Sequence, residues 1–173
     1  RAAEHGRSME EEAREILRQV VTRPTPLRDL GQSIHARFAE VGGIDLPQPK
    51  RSEMRPTPNF ELPQFLIDTN VISELMRATP APSVLSWFST QDPSTLYLSA
   101  VTEAELRTGI AILPAGQRRD GLKAALDATI AEDFEGRILP FDTDAAKTYA
   151  EIAVGRRSAG RPIADADCQI AAI

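Results

Sequence analysis

Five prolines, at positions 47, 49, 56, 58 and 63, fall within seventeen residues, with Lys50, Arg51 and Arg55 among them. Proline fixes its own φ and donates no backbone hydrogen bond, so neither a helix nor a central strand runs through such a stretch. The segment is read as extended, basic and unable to fold alone. It divides the 173 residues into two unlike parts, expected as domains 1–61 and 62–173.

Charge follows the same division. Residues 1–61 hold ten basic and ten acidic side chains, whereas residues 62–173 hold ten basic and fifteen acidic, so the second part carries the whole net charge of −5. That balance argues against indiscriminate nucleic-acid binding. The lone Cys168 excludes an internal disulfide and a multi-thiolate zinc site, and histidines at 5 and 35 alone leave little for a histidine-based one. Any metal is then held by oxygen. No apolar run reaches the roughly 20 residues of a membrane span, and no signal-peptide pattern is present, so the expected location is cytoplasmic, away from membranes.

In the first part, Ser8 opens a helical pattern with Met9, Ala13, Ile16, Leu17 and Val20 on one face, expected over about 9–21. A second helix is expected from Thr25-Pro26, with Leu27, Leu30, Ile34, Phe38 and Val41 on one stripe before Gly42-Gly43 ends it. About sixty residues of this kind cannot bury those stripes alone, so they need a surface on this chain or another.

From Leu62 the pattern becomes alternating strands and helices. Strands are expected at 65–67, 95–98 and 137–141, and helices at 72–76, 82–90, 102–113, 117–132, 144–159 and from about 163. Such alternation predicts an α/β fold, a parallel sheet flanked by helices. An uncapped apolar helix running to Ile173 leaves a further strand expected beyond it, and the start at Arg1, inside a helical pattern, also reads as cut.

In an open parallel sheet the functional crevice lies at the carboxyl ends of the strands. Asp68 sits directly after Phe65-Leu66-Ile67, Glu105 is expected in the first turn of the helix after the second strand, and Asp167 in the opening turn of an almost wholly apolar helix. Each has a bland alternative as a helix-start acid favoured by capping or the dipole. Three carboxylates in one crevice without usable histidine or thiolate match Mg²⁺ or Mn²⁺, and the chemistry that follows is phosphodiester hydrolysis. Trp87 and Phe88 read as core or partner contacts, Cys168 as a small buried apolar residue, and His5 and His35 as surface or interface residues. Arg156, Arg157 and Arg161 form a basic cluster, either a solvated helix end or a contact for RNA phosphate.

Leu66-Ile67-Asp68-Thr69-Asn70-Val71-Ile72-Ser73-Glu74-Leu75, Glu105 with Gly109, and Pro162-Ile163 leading to Asp167-Cys168-Gln169-Ile170-Ala171-Ala172 together resemble PIN-domain ribonuclease toxins of VapC or FitB type. The resemblance covers residues 65–173. It implies a PIN-like parallel sheet and RNA cleavage with Mg²⁺ or Mn²⁺ on Asp68, Glu105 and Asp167, with Asp165 as an added ligand. Thr69, Asn70, Arg157 and Arg161 would support ligands or substrate. The family's fourth acid falls beyond Ile173.

Residues 1–17 resemble the second half of a ribbon-helix-helix antitoxin of FitA or VapB type, with Gly6 ending one helix and Ser8 capping the next; the DNA-reading strand is missing. The resemblance implies a toxin–antitoxin pair on one chain, with contact within or between chains, a homodimeric toxin unit, and operator DNA bound only by a complete antitoxin. The later antitoxin helix would dock through Leu27, Leu30, Ile34, Phe38 and Val41. Its basic tail would then plug the acidic crevice with Arg51 and Arg55, and Lys50 third, because a guanidinium pairs bidentately with carboxylates. Two other classes stay open: an α/β interaction module without catalysis, and a metal-dependent DNA nuclease.

Overall fold

The computed structural model describes residues 29–47 and 64–173. The expected helix at 9–21, Leu27, and the basic residues Lys50, Arg51 and Arg55 lie outside the described residues. In chain order the described elements are α1 (Leu30–Ala39), β1 (Phe65–Leu66), α2 (Thr69–Leu75), α3 (Pro82–Ser89), β2 (Leu96–Ser99), α4 (Ala100–Ala111), α5 (Gln117–Ala128), a π turn (Thr129–Asp133), β3 (Ile138–Leu139), α6 (Thr143–Ser158) and α7 (Asp165–Ala172). The strands lie parallel in the order β1-β2-β3, with Phe65 opposite Leu96 and Leu98 opposite Ile138. Parallel neighbours need crossovers, and the helices supply them. Among the described residues no helix is long and apolar enough to cross a membrane.

Helix starts differ from the spacing-based expectation wherever a polar cap lies further upstream. Asp68 caps α2, its Oδ2 accepting the Asn70 N–H at 3.4 Å, so the helix opens at Thr69 rather than 72. Ser99 caps α4, its hydroxyl oxygen accepting the Thr102 N–H at 2.9 Å, so α4 opens at Ala100 and Glu105 lies in its second turn, not its first. Apolar periodicity marks the buried face, whereas caps mark the ends. The expected helix over 117–132 is α-helical only to Ala128 and then widens into the π turn. The described part of the helix expected from Thr25-Pro26 starts at Leu30, with Asp29 accepting the Gln32 N–H at 3.0 Å.

The stripe on α1 finds its surface on this chain. Leu30, Ile34 and Phe38 are 2%, 0% and 0% exposed and join Ile72, Leu75, Phe88, Leu122, Leu126 and Phe134 in one core, with Val41 packed at its edge. Each such burial removes apolar area worth about 1.5–3 kcal/mol. Helix α1 packs on α2, α3, α5 and the π turn. Close approach is built in at Gly31, where an added Cβ would stand 2.7 Å from Phe88 Cβ. The helix ends as expected at Gly42-Gly43, both at positive φ, and the Gly43 N–H returns to the Phe38 carbonyl at 2.8 Å. From there Ile44 N–H bonds the Met76 carbonyl at 2.9 Å, which ties the segment to the end of α2.

Candidate functional site

Beyond the carboxyl ends of β1 and β2, the first turn of α2, the middle of α4 and the first turn of α7 frame a cleft of about 540 Å³. Thr69, Ser73, Glu105, Thr108, Ala166 and Gln169 line it, and Leu46 and Pro47 form part of its wall. Leu46 lies against Gly109, where a Cβ would meet Leu46 Cδ2 at 2.7 Å. Glycine four residues after Glu105 therefore makes the notch that seats Leu46.

Thr69 is 5% exposed and its hydroxyl donates to the Glu105 carboxylate, joining the end of β1 to the second turn of α4. Asp68, half-buried, is turned toward its own helix start. Asn70 Oδ1 is buried without a hydrogen-bond partner among the described residues, a site for a donor or a hard cation. Asp167, half-buried, is the third residue of α7, beside the cleft-lining Ala166. Asp165 opens α7 at the exposed surface and accepts the Tyr149 hydroxyl at 3.1 Å, which pushes the Tyr149 phenol above its ordinary range.

Among the described residues no three His, Cys, Asp or Glu side chains stand together as a ready ligand set for a metal ion. Glu105 accepts the Thr69 hydroxyl, and Asp68 accepts the Asn70 N–H. Of the three acids expected as ligands only Glu105 lines this cleft, beside the hydroxyls of Thr69, Ser73 and Thr108, whereas Asp68 lines a separate cavity of about 350 Å³ with Phe65, Val71, Val84 and Trp87. Oxygen donors of these kinds are the ones hard divalent cations prefer.

Arg157 and Arg161 are exposed near the end of α6, and Arg156 is half-buried. Phe88 is core, and Trp87 packs edge-on between Phe65 and Phe88 at 5.3 and 5.0 Å. His35 is half-buried, with Nδ1 3.3 Å from the Leu75 carbonyl. Cys168 is buried, its thiol 3.6 Å from the Tyr149 carbonyl, and desolvation pushes the thiol pKa up. It is expected to react with a disulfide reagent at least about tenfold more slowly in the folded chain than in urea, since the thiolate is the nucleophile. Equal rates would contradict that burial.

Sequence reasoning missed a second polar centre. Arg37 forks onto Glu132 and Asp133 at 2.6 and 2.8 Å, and the Ser33 hydroxyl donates to Asp133 at 3.3 Å. A signal existed: Leu122, Leu126, Thr129 and Asp133 recur on one buried stripe, and an acid on such a stripe calls for a partner.

Asp68 thus follows β1, Glu105 lies on the helix after β2, and Asp167 lies in the first turn of α7. The PIN domain model matches residues 65–173, well over half of the chain, and the chain belongs to the PIN-domain family. A second model, the FitA-like antitoxin ribbon-helix-helix, matches residues 1–21. A VapC ribonuclease (Y4jK) of Sinorhizobium fredii is 47% identical over 108 residues, covering 62% of this chain and 77% of that protein. The plasmid stability protein StbB of Pseudomonas syringae is 47% identical over 109 residues, covering 63% and 78%, and the toxin FitB of Neisseria gonorrhoeae is 45% identical over 108 residues, covering 62% and 78%. The crystal structure of FitAcB from Neisseria gonorrhoeae matches with a TM-score of 0.59 at 45% identity, over 62% of this chain and 77% of that one. A structure of FitAB bound to an IR36 DNA fragment matches with a TM-score of 0.59 at 43% identity, over 62% and 75%. With an antitoxin-type segment preceding a PIN toxin domain, the chain is of the VapBC/FitAB toxin–antitoxin type.

Proposed function

We propose that residues 62–173 form a Mg²⁺- or Mn²⁺-dependent endoribonuclease domain and that residues 1–61 are an antitoxin fragment that holds it silent. The observation that carries this reading is the sharing of one cleft: Leu46 and Pro47, the last described residues before the basic tail, line the same cavity as Glu105 and Thr69. Asp68, Glu105 and Asp167 are the ion-holding residues of this reading. When bound, such an ion supplies a more acidic water and offsets charge on a phosphodiester under attack. Thr69 orients the Glu105 carboxylate through its hydroxyl, the buried Asn70 side-chain oxygen offers an acceptor beside Asp68 in the sequence, and Arg157 and Arg161 hold substrate phosphates. Arg51 and Arg55, with Lys50, compete for the carboxylates by bidentate pairing. RNA is favoured over DNA because a relative at 47% identity is named a ribonuclease. The reading places the protein in the cytoplasm with a dimeric toxin unit, and operator DNA binding belongs to a complete antitoxin, as the DNA-bound FitAB relative suggests.

One observation favours a second reading, an interaction module without catalysis: Asp68 serves as a helix cap and no three-carboxylate set stands assembled among the described residues. The test is cleavage of matched fluorescent RNA and DNA strands by the full chain carrying Arg51→Ala and Arg55→Ala, with Mn²⁺ or with chelator. Cleavage of RNA alone, abolished by chelator and cut at least about a hundredfold by Glu105→Gln, is expected on removal of one charge-stabilising group. Cleavage of both strands would replace RNA specificity with a general nuclease, and cleavage of neither by a folded chain would leave the interaction module.

A further inference from the structure

The centre at Asp133 is not used by the cleft chemistry, yet it is a buried charged contact between α1 and the π turn. The Asp133 side chain is 0% exposed and continues the buried stripe of α5 into the π turn, where burying a carboxylate is costly without a partner. In an α-helix consecutive residues point about 100° apart, so neighbouring acids do not address one partner. Here the helix ends in the π turn Thr129–Asp133, and Glu132 and Asp133 both reach the single guanidinium of Arg37. Ser33, one helical turn before Arg37, reaches the other oxygen of Asp133.

These contacts fix α1 along its own axis. A slip of one turn in either direction would put Ser33 or Val41 where the Arg37 guanidinium stands and break the fork onto Glu132 and Asp133. The register carries forward: Gly43 crosses Ala78, the Arg118 guanidinium donates to the Gly43 carbonyl at 3.0 Å, and Leu46 reaches the Gly109 notch at the cleft. Position along α1 thus decides which residues arrive at the acidic cleft.

We infer that Glu132 and Asp133, presented by the π turn, form a guanidinium receptor that selects the antitoxin segment. It accepts an amphipathic helix carrying an arginine four residues after a small hydroxyl residue, and rejects helices of similar apolar pattern without one. The inference rests on the reading of residues 29–47 as antitoxin, but not on nuclease activity.

Hydrogen exchange of the full chain, followed by mass spectrometry, tests it without metal or RNA. Arg37→Gln is expected to speed exchange of α1 amides about thirtyfold or more while α4 keeps its protection, because local undocking exposes them. Arg37→Lys, which keeps charge but loses the fork, should give an intermediate effect, and Glu132→Gln, at an acid 58% exposed, less than about threefold. Arg37→Gln combined with Asp133→Asn should change exchange by much less than the product of the single effects, the mark of a coupled pair. Should Asp133→Asn unfold α4 as well, the Arg37 and Glu132 variants decide alone. A labelled peptide of residues 25–61, added to the full Arg37→Gln chain, should bind in place of the weakened segment, and the same peptide with Arg37→Gln should not. Exchange within twofold of the parent for Arg37→Gln, multiplying single effects, or equal binding of both peptides would each overturn the inference. Loss of RNA cleavage in the separate nuclease test would leave it standing.

Discussion

Phe38→Ala is expected to lower the unfolding free energy of the full chain by about 3–5 kcal/mol, the range for a buried phenylalanine truncated in a packed core. Phe38 is 0% exposed and shares its cluster with Leu75, Met76, Leu122 and Phe134, residues far along the chain. The helix that carries it is short and held by its buried face, so the loss should first appear as release of α1 from α3, α5 and the π turn. Trp87, the lone tryptophan, reports this in urea titrations, because it packs edge-on against Phe88, which itself meets Gly31 of α1. A shallower transition that begins at lower urea fits undocking before global unfolding. An unchanged midpoint would show that α1 adds nothing to the core it occupies.

Gly43→Val is expected to cost at least about 3 kcal/mol, the sum of a left-handed backbone position and a contact that has no room. The φ of Gly43 is +66°, and an added Cβ would stand 2.3 Å from the Ala78 nitrogen and 2.8 Å from its Cα. Those are backbone atoms, so no rotamer relieves the clash. Gly42 supplies the control: its φ is +82°, but nothing lies within 4 Å, so Gly42→Ala should cost only about 1–2 kcal/mol of strain. Paired urea melts measure the difference. Equal losses would mean that the approach to Ala78 is not what the glycine is for.

The sheet was legible because a single physical effect, short apolar runs alternating with helical patterns, decides it. Phe65-Leu66-Ile67 and Leu96-Tyr97-Leu98 are short apolar runs bounded by polar caps, and parallel order followed from the helices between them. The stripe Leu30, Ile34, Phe38 was readable as a face in search of a surface, and it found one on the same chain. Helix starts were less legible, since Asp68 and Ser99 draw α2 and α4 upstream through hydrogen bonds that periodicity does not register. The π turn was not legible at all. The expected helix over 117–132 carried no sign of it, and Asp133, at its end, is buried and paired with Arg37. Side-chain contacts of the candidate acids were not legible: Glu105 accepts the Thr69 hydroxyl, Asp68 accepts an N–H of the helix it caps, and Asp165 accepts the Tyr149 hydroxyl.

The central claim is that Asp68, Glu105 and Asp167 serve an ion and that the preceding segment withholds them. Mn²⁺ calorimetry on the full chain tests it most directly, comparing the parent sequence, Arg51→Ala with Arg55→Ala, and that double variant with Asp68→Asn added. The account predicts little or no binding by the parent, clear binding by the double variant, and its loss again with Asp68→Asn. Binding that is the same in the parent and the double variant, or that survives Asp68→Asn, would contradict it.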